Sequence, residues 1–121
     1  MTESGVSSII RLEASQLGYR LWRNNVGALQ TPAGQFIRFG LANDSPQLNK
    51  AIKSADLIGI KPILITHAHV GLTIGQFISR EIKHEGWKYT GADREKAQVA
   101  WAELINSLGG NACFATGRGT L

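Results

Sequence analysis

Glu81-Ile82-Lys83 puts an acid and a base two residues apart at the end of an apolar run. Side chains alternate faces on an extended strand, so Glu81 and Lys83 share one face while Ile82 points into the core behind them. If Asp56 begins or ends a neighbouring strand, its carboxylate joins Glu81 around a hard divalent cation, with Lys83 beside it. Carboxylates for Mg²⁺ or Mn²⁺, together with a cation that steadies charge building on a phosphate, are what phosphodiester cleavage requires. A third acid, Glu13, falls between Ile10 and Leu17 on the apolar stripe of a predicted helix. A carboxylate buried there needs a basic side chain, backbone donors or a metal ion.

The elements that must position these groups follow from period and punctuation. Val6, Ile10 and Leu17 at helical spacing, with Thr2 as N-cap and Gly18 as stop, predict a first helix over 3 to 17. Residues 19 to 24 read as a strand, followed by a turn at Asn25-Val26-Gly27-Ala28. Residues 34 to 40 read as the hairpin partner of that strand. The polar stretch 42 to 54 reads as an inserted loop with a short helix, the most mobile part of the chain. Residues 56 to 60 form a short strand. Residues 62 to 67 and 72 to 83 are expected to pair antiparallel across a turn at Val70-Gly71. Thr90 and Asp93 suggest a capping-box start to a helix over 92 to 108, with Ala97, Trp101, Leu104 and Leu108 as its apolar face and Gly109-Gly110 as its stop. A last strand, 111 to 116, is expected beside the long central one, and 117 to 121 is a tail. The order implies an α/β fold, a mixed sheet with a helix from each end of the chain packed on it.

At 121 residues the chain is expected to be a single domain, so a large substrate must lie across its surface. Thirteen Lys and Arg against nine Asp and Glu leave a net charge of +4, which suits a polyanionic partner. One cysteine, Cys113, excludes an internal disulfide and any zinc site built on several cysteines, and suits a reducing compartment. Charged residues interrupt the first eighteen positions, so these are read as neither a secretory signal nor a membrane span, and a cytoplasmic protein is expected.

Taken in order, Glu13, the stretch Leu21-Trp22-Arg23-Asn24-Asn25-Val26-Gly27-Ala28, Arg38-Phe39-Gly40, Asp56-Leu57-Ile58-Gly59, Glu81-Ile82-Lys83 and Gln98 resemble the VRR-NUC family. That family is a branch of the PD-(D/E)xK nuclease superfamily, with a restriction-endonuclease-like fold. The resemblance spans nearly the whole chain, and several short signals in the right order are far more specific than a lone Glu-x-Lys. One departure is Ala55, which precedes Asp56 where the superfamily's name expects proline. The resemblance implies a Mg²⁺- or Mn²⁺-dependent endonuclease that leaves a 5′-phosphate and a 3′-hydroxyl. Its metal ligands carry onto Asp56, Glu81 and the main-chain carbonyl of Ile82, with Glu13 holding a second ion or a water of the first. Lys83 carries the catalytic lysine and Gln98 the helical glutamine that orients it. A lysine ammonium is a poor base in ordinary surroundings, so Lys83 is assigned an electrostatic role. Arg23, Asn24, Asn25, Arg38 and Lys53 are candidates for phosphate contact. By similarity, stand-alone members act as homodimers on branched DNA such as four-way junctions. Flap or nicking activity, and a catalytically silent DNA-binding module, are the alternatives.

Plainer readings stand beside these. Glu81 and Lys83 could be a surface ion pair on an edge strand, Glu13 could pair with Arg11 or Arg20, and Asp56 could cap a turn. Gln98 could be a solvated helix residue. The Arg23-Asn24-Asn25 stretch could serve only a turn. His67 and His69 lack a third ligand at a convincing spacing and read as a solvated turn. Trp87 and Tyr89 could stack on bases, but beside a helix start they read as a staple to the sheet. Cys113 reads as a buried strand residue.

Overall fold

The computed structural model describes residues 2–121, a mixture of helix and strand in two compact units, Met1–Gly59 and Ile60–Leu121. In order along the chain the elements are α1 (Glu3–Gln16), β1 (Arg20–Arg23), β2 (Gly27–Gln30), β3 (Phe36–Phe39), α2 (Pro46–Ala51), β4 (Leu57–Ile60), β5 (Ile78–Ile82), α3 (Asp93–Ser107) and β6 (Asn111–Ala115). The strands form three two-stranded ladders, β1 with β4, β2 with β3 and β5 with β6, where the sequence predicts one mixed sheet.

In the first unit, α1 begins where Gly5 N–H donates to the Thr2 hydroxyl at 3.0 Å. It ends in a Schellman motif: Gly18 takes φ +83°, its N–H donates to Ser15 O, and Tyr19 N–H donates to Ala14 O. Both signals were legible, but the buried face was not. Ala14 is the buried residue of α1, while Ile10 and Leu17 are 42% and 61% exposed and Glu13 is exposed with them. Glu13 therefore carries no burial cost that a metal or a base must offset. It has no ion-pair partner among the described residues, Arg11 and Arg20 included.

The expected partner of β3 is corrected. β2, whose first two residues fall in the turn read from sequence, pairs antiparallel with β3, with Gly27 opposite Phe39 and Gln30 opposite Phe36. Thr31-Pro32-Ala33-Gly34-Gln35 makes the connection: Gly34 N–H donates to Thr31 O, Thr31 N–H donates to Gln35 O, and Gly34 takes φ +86°. This is a three-residue hairpin with glycine at its left-handed position. β1 pairs instead with β4. There Gly59 is required by close approach, since a Cβ at that position would run into the Arg20 carbonyl and lie 2.9 Å from Leu21 Cα.

In the second unit, β5 and β6 run parallel, with Ser79 opposite Ala112, Glu81 opposite Phe114 and Ile82 opposite Ala115. α3 is the crossover that parallel pairing demands, and it packs on both strands. Its stop is the predicted glycine pair: Gly109 has φ +92°, and Gly110 N–H donates to Ile105 O. Its inward residues are Glu95 and Ile105, the latter fully buried, with Gln98, Val99 and Ala102 half-buried between them. The expected face holds in part: Leu104 and Leu108 are half-buried, while Ala97 is exposed and Trp101 is 39% exposed at the rim. The antiparallel pair expected over 62–67 and 72–83 does not form. Residues 67–69 make a short 3₁₀ turn in which Ala68 N–H donates to the Thr66 hydroxyl and Thr66 N–H donates to His69 Nδ1. These local bonds compete with a ladder. They also confirm the histidines as a turn, with His67 exposed.

Gly59→Ala should destabilise the protein by about 2–3 kcal/mol, because backbone rather than a flexible side chain stands in the way. Urea unfolding followed by circular dichroism measures this, and an unchanged midpoint would show that β1 and β4 are not so closely paired.

Candidate functional site

Two groups of the sequence-predicted residues are each brought together within one unit. In the first, Asn24, Arg38, Lys53 and Asp56 line a single polar cavity of about 390 Å³, with Asn43, Asn49 and Ser54. Arg23, Asn25 and Glu13 do not line it. Asp56 is exposed at the entrance to β4, and its carboxylate has no hydrogen-bond or ion-pair partner among the described residues. The backbone around it is held on both sides. Asn24 N–H donates to Asp56 O at 2.9 Å, and Asn24 Nδ2 donates to Ser54 Oγ at 2.7 Å and to Ala55 O at 2.9 Å. Ser54 Oγ donates in turn to Leu41 O.

These bonds change what three candidate residues can do. Asn24, expected to touch phosphate, spends its amide holding residues 54 to 56, so its first effect is to place Asp56. Arg38 is half-buried and donates through Nε to Asn43 O at 2.9 Å and through Nη2 to Asn43 Oδ1 at 2.7 Å. Lys53 donates to Asn49 O and Oδ1. Asn43, which sequence reasoning passed over, is 3% exposed and donates to Gly27 O and Phe39 O, tying the 42–54 segment to the hairpin. Its only sequence signal was an Asn-Asp-Ser-Pro run ahead of a short helix, which Ser45 caps by accepting from Leu48 N–H.

In the second unit, Glu81, Lys83 and Gln98 converge. Gln98 Nε2 donates to Glu81 Oε1 at 2.8 Å, and Lys83 Nζ lies 3.9 Å from the same oxygen. Gln98 is therefore no solvated helix residue. Its own Oε1 is buried without a hydrogen-bond partner, and the amide cannot turn over without setting two oxygens against each other. Glu81 and Lys83 share the face toward α3, as the alternation predicts. The expected burial of Ile82 is corrected, since it faces away from α3 and is 72% exposed. Lys83 N–H donates to Ala115 O, which stands opposite Ile82. In a parallel ladder the carbonyl of Ile82 then points away from β6.

These atoms suit a hard cation in kind. The second oxygen of Glu81 and the Ile82 carbonyl are both oxygen acceptors, whereas Gln98 Oε1 is closed to solvent where it lies. The acids expected around one ion are divided between the units, Glu13 and Asp56 in the first and Glu81 in the second. Among the described residues no group of three or more His, Cys, Asp or Glu side chains forms that could hold a metal.

Sequence reasoning assigned the start of α3 to Thr90 and Asp93. The residue that secures it is Glu95, a carboxylate 7% exposed. It accepts from Thr90 Oγ1 at 2.6 Å, Thr90 N at 2.9 Å, Ala92 N at 3.3 Å and Trp87 Nε1 at 3.0 Å. The Thr90 hydroxyl foremost, with the other three donors, holds its pKa down at about 2 against the opposing effect of burial. Trp87 in turn packs on Phe114 of β6 with ring centroids 4.8 Å apart, the staple expected of it. Cys113, expected in the core, is exposed instead.

Compared with models of protein families, with curated proteins and with solved structures, the chain matches none. No described helix is long and apolar enough to cross a membrane.

Two outcomes follow. Asn24→Ala leaves Ser54 Oγ and the Ala55 carbonyl short of a donor and Leu41 N–H short of an acceptor, and should cost about 1–3 kcal/mol in urea unfolding; a cost near zero would show that the clamp is unimportant. Because the Glu95 pKa is lowered on folding, its contribution is complete above about 4.5 and fades as the pH falls toward 2. Wild type should therefore exceed Glu95→Gln in stability at neutral pH, with the two curves converging over that window; parallel curves would rule this out.

Proposed function

We propose that this protein is a Mg²⁺- or Mn²⁺-dependent DNA endonuclease with a restriction-endonuclease-like fold. In this reading it hydrolyses phosphodiester bonds in branched DNA, four-way junctions above all, as a homodimer. The observation that supports the reading best is the meeting of Glu81, Lys83 and Gln98 where the β5–α3–β6 unit brings strand and helix together. A surface ion pair would not need a helical glutamine committed to the acid with its own oxygen buried beside it.

A bound divalent ion would supply Lewis-acid polarisation of the phosphate and activation of the attacking water. In the second unit Glu81 and the Ile82 carbonyl would hold such an ion; Asp56 and Glu13 enter the acid set through the family resemblance alone. Lys83 places a positive charge where negative charge gathers on the phosphoryl oxygens during in-line attack. Gln98 holds Glu81 in one orientation through Nε2. In the first unit, Arg38 and Lys53 add positive charge around the cavity that Asp56 lines, and the net charge of +4 favours approach to a polyanion.

Mn²⁺ titrated calorimetrically into the apoprotein should give saturable heat that is lost in Asp56→Ala and in Glu81→Ala. With Mg²⁺ or Mn²⁺ and labelled four-way, flapped, nicked and plain duplex DNA, symmetric paired incisions on the four-way substrate are expected, and Lys83→Ala should be slower by about 10²–10³-fold. Cutting confined to single-strand tails would turn the assignment toward a flap nuclease. Absent heat, or equal cleavage by the alanine variant, would overturn the reading.

A further inference from the structure

Lys83 ends in an ammonium on a flexible four-carbon stem, and nothing in the Glu-x-Lys spacing fixes where that ammonium sits. Its distance of 3.9 Å from Glu81 Oε1 is longer than the 2.7–2.9 Å of a charge-assisted hydrogen bond, so Glu81 attracts the amine without locking it. Two aromatic rings also flank it. The Nζ atom lies 5.5 Å from the centroid of Trp87 and 5.8 Å from that of Phe114, both within cation–π reach, and the side chain is only 17% exposed.

The rings are themselves fixed. Phe114 is held by its place on β6, directly opposite Glu81 in the parallel ladder. Trp87 lies outside any strand, and its orientation comes from side-chain contacts: the face against Phe114, the edge contact with Tyr89 at 6.4 Å, and the donation of Nε1–H to Glu95 Oε2. Glu95 is rigid because three further donors, from Thr90 and Ala92, hold its other oxygen at the start of α3. A buried carboxylate at the head of the helix thus reaches the amine through one indole.

We propose that Glu95 is a positioning residue that acts through Trp87 to hold the Lys83 ammonium beside Glu81. The use assigned to that amine rests on the nuclease reading; the arrangement itself does not. Aromatic walls attract the charge without accepting its N–H bonds as an oxygen would, so the amine is placed while its donors stay directed toward an incoming phosphoryl oxygen. An acidic neighbour at hydrogen-bond distance would fix the amine equally well but would occupy those donors.

The test separates the arrangement from its use. In apoprotein without DNA or metal, ring currents from Trp87 and Phe114 should move the Lys83 ε-methylene protons upfield of those of the other lysines. Trp87→Leu should abolish most of that shift, Glu95→Gln should reduce it, and Trp87→Phe, which keeps a ring without the N–H, should retain part of it and guards against loss of fold. In cleavage, Trp87→Leu and Glu95→Gln should lower kcat by about 10–100-fold with KM nearly unchanged, as a misplaced group does. An unshifted Lys83 resonance in wild type, or one equally shifted in Trp87→Leu, overturns the proposal whatever the protein cuts. A kcat unaltered by Glu95→Gln also overturns it. A shift that responds to the variants in a protein that cuts no DNA upholds the arrangement and overturns the nuclease reading.

Discussion

The parallel pairing of β5 with β6 governs what the second unit presents. Parallel neighbours cannot be joined by a hairpin, so the chain must cross over, and the crossover helix covers one face of the pair. Which residues that helix meets is then decided by register alone. With Glu81 opposite Phe114, the odd-numbered residues of β5 face α3 and the even-numbered ones face away. A slip of one residue would present Arg80 and Ile82 to the helix and send Glu81 and Lys83 to the other side. The face that meets α3 is unusual, since Ser79, Glu81 and Lys83 are all polar while Ile78 and Ile82, on the opposite face, are 57% and 72% exposed. Polar groups there are tolerable because α3 answers them: Trp101 Nε1–H donates to Ser79 Oγ, and Gln98 Nε2–H donates to Glu81.

Side-chain amides do comparable work in the first unit, where strands are only four residues long and give few ladder bonds. Asn43 bonds to one carbonyl on each strand of the β2–β3 hairpin and accepts from Arg38, so one buried side chain holds the loop, the hairpin and a guanidinium. Asn24 does the same between β1 and the residues before β4, and it also accepts from Leu41 N–H. The geometry at Asp56 thus depends on amides rather than on a large apolar core, of which Ala14 is the buried hydrophobic residue in this unit. Substituting either asparagine would disturb placement before it disturbed any direct contact.

Local signals with one physical meaning were legible in the sequence. Thr2, Gly18 and Gly109-Gly110 mark helix ends by chemistry that few other residues supply, and the two-residue spacing of Glu81 and Lys83 fixes a shared face wherever the strand lies. Signals that depend on distant partners were not. The Asn25-Val26-Gly27 stretch looks like a turn until β3 is available to pair with it, while the Thr31-Pro32-Ala33-Gly34 turn was hidden between two apolar runs. The face of α3 was read only in part because an apolar stripe was sought and the stripe that packs includes Glu95 and Gln98. A glutamate can lie inward only when donors converge on it, and those of Trp87, Thr90 and Ala92 come from the preceding loop. The stripe of α1 failed for the opposite reason, since Val6, Ile9 and Ile10 are apolar yet 46%, 49% and 42% exposed.

The same distinction applies to charge. A balance of thirteen basic to nine acidic residues invites the assumption that the basic side chains are available to a polyanion. Several are already engaged: Arg38 with Asn43, Lys53 with Asn49, and Arg80 through Nη1 with Ser79 O and Asn111 O. Their partners are carbonyl and amide oxygens, not carboxylates. A neutral acceptor uses a donor but leaves the charge, so these residues still contribute to a long-range positive field while offering fewer direct bonds to a phosphate. Lys83 differs from them, since it stands beside a carboxylate and two aromatic rings. The field that draws a polyanion to the surface and the group that would act on one phosphate are thus supplied by different residues, held in place by different kinds of contact.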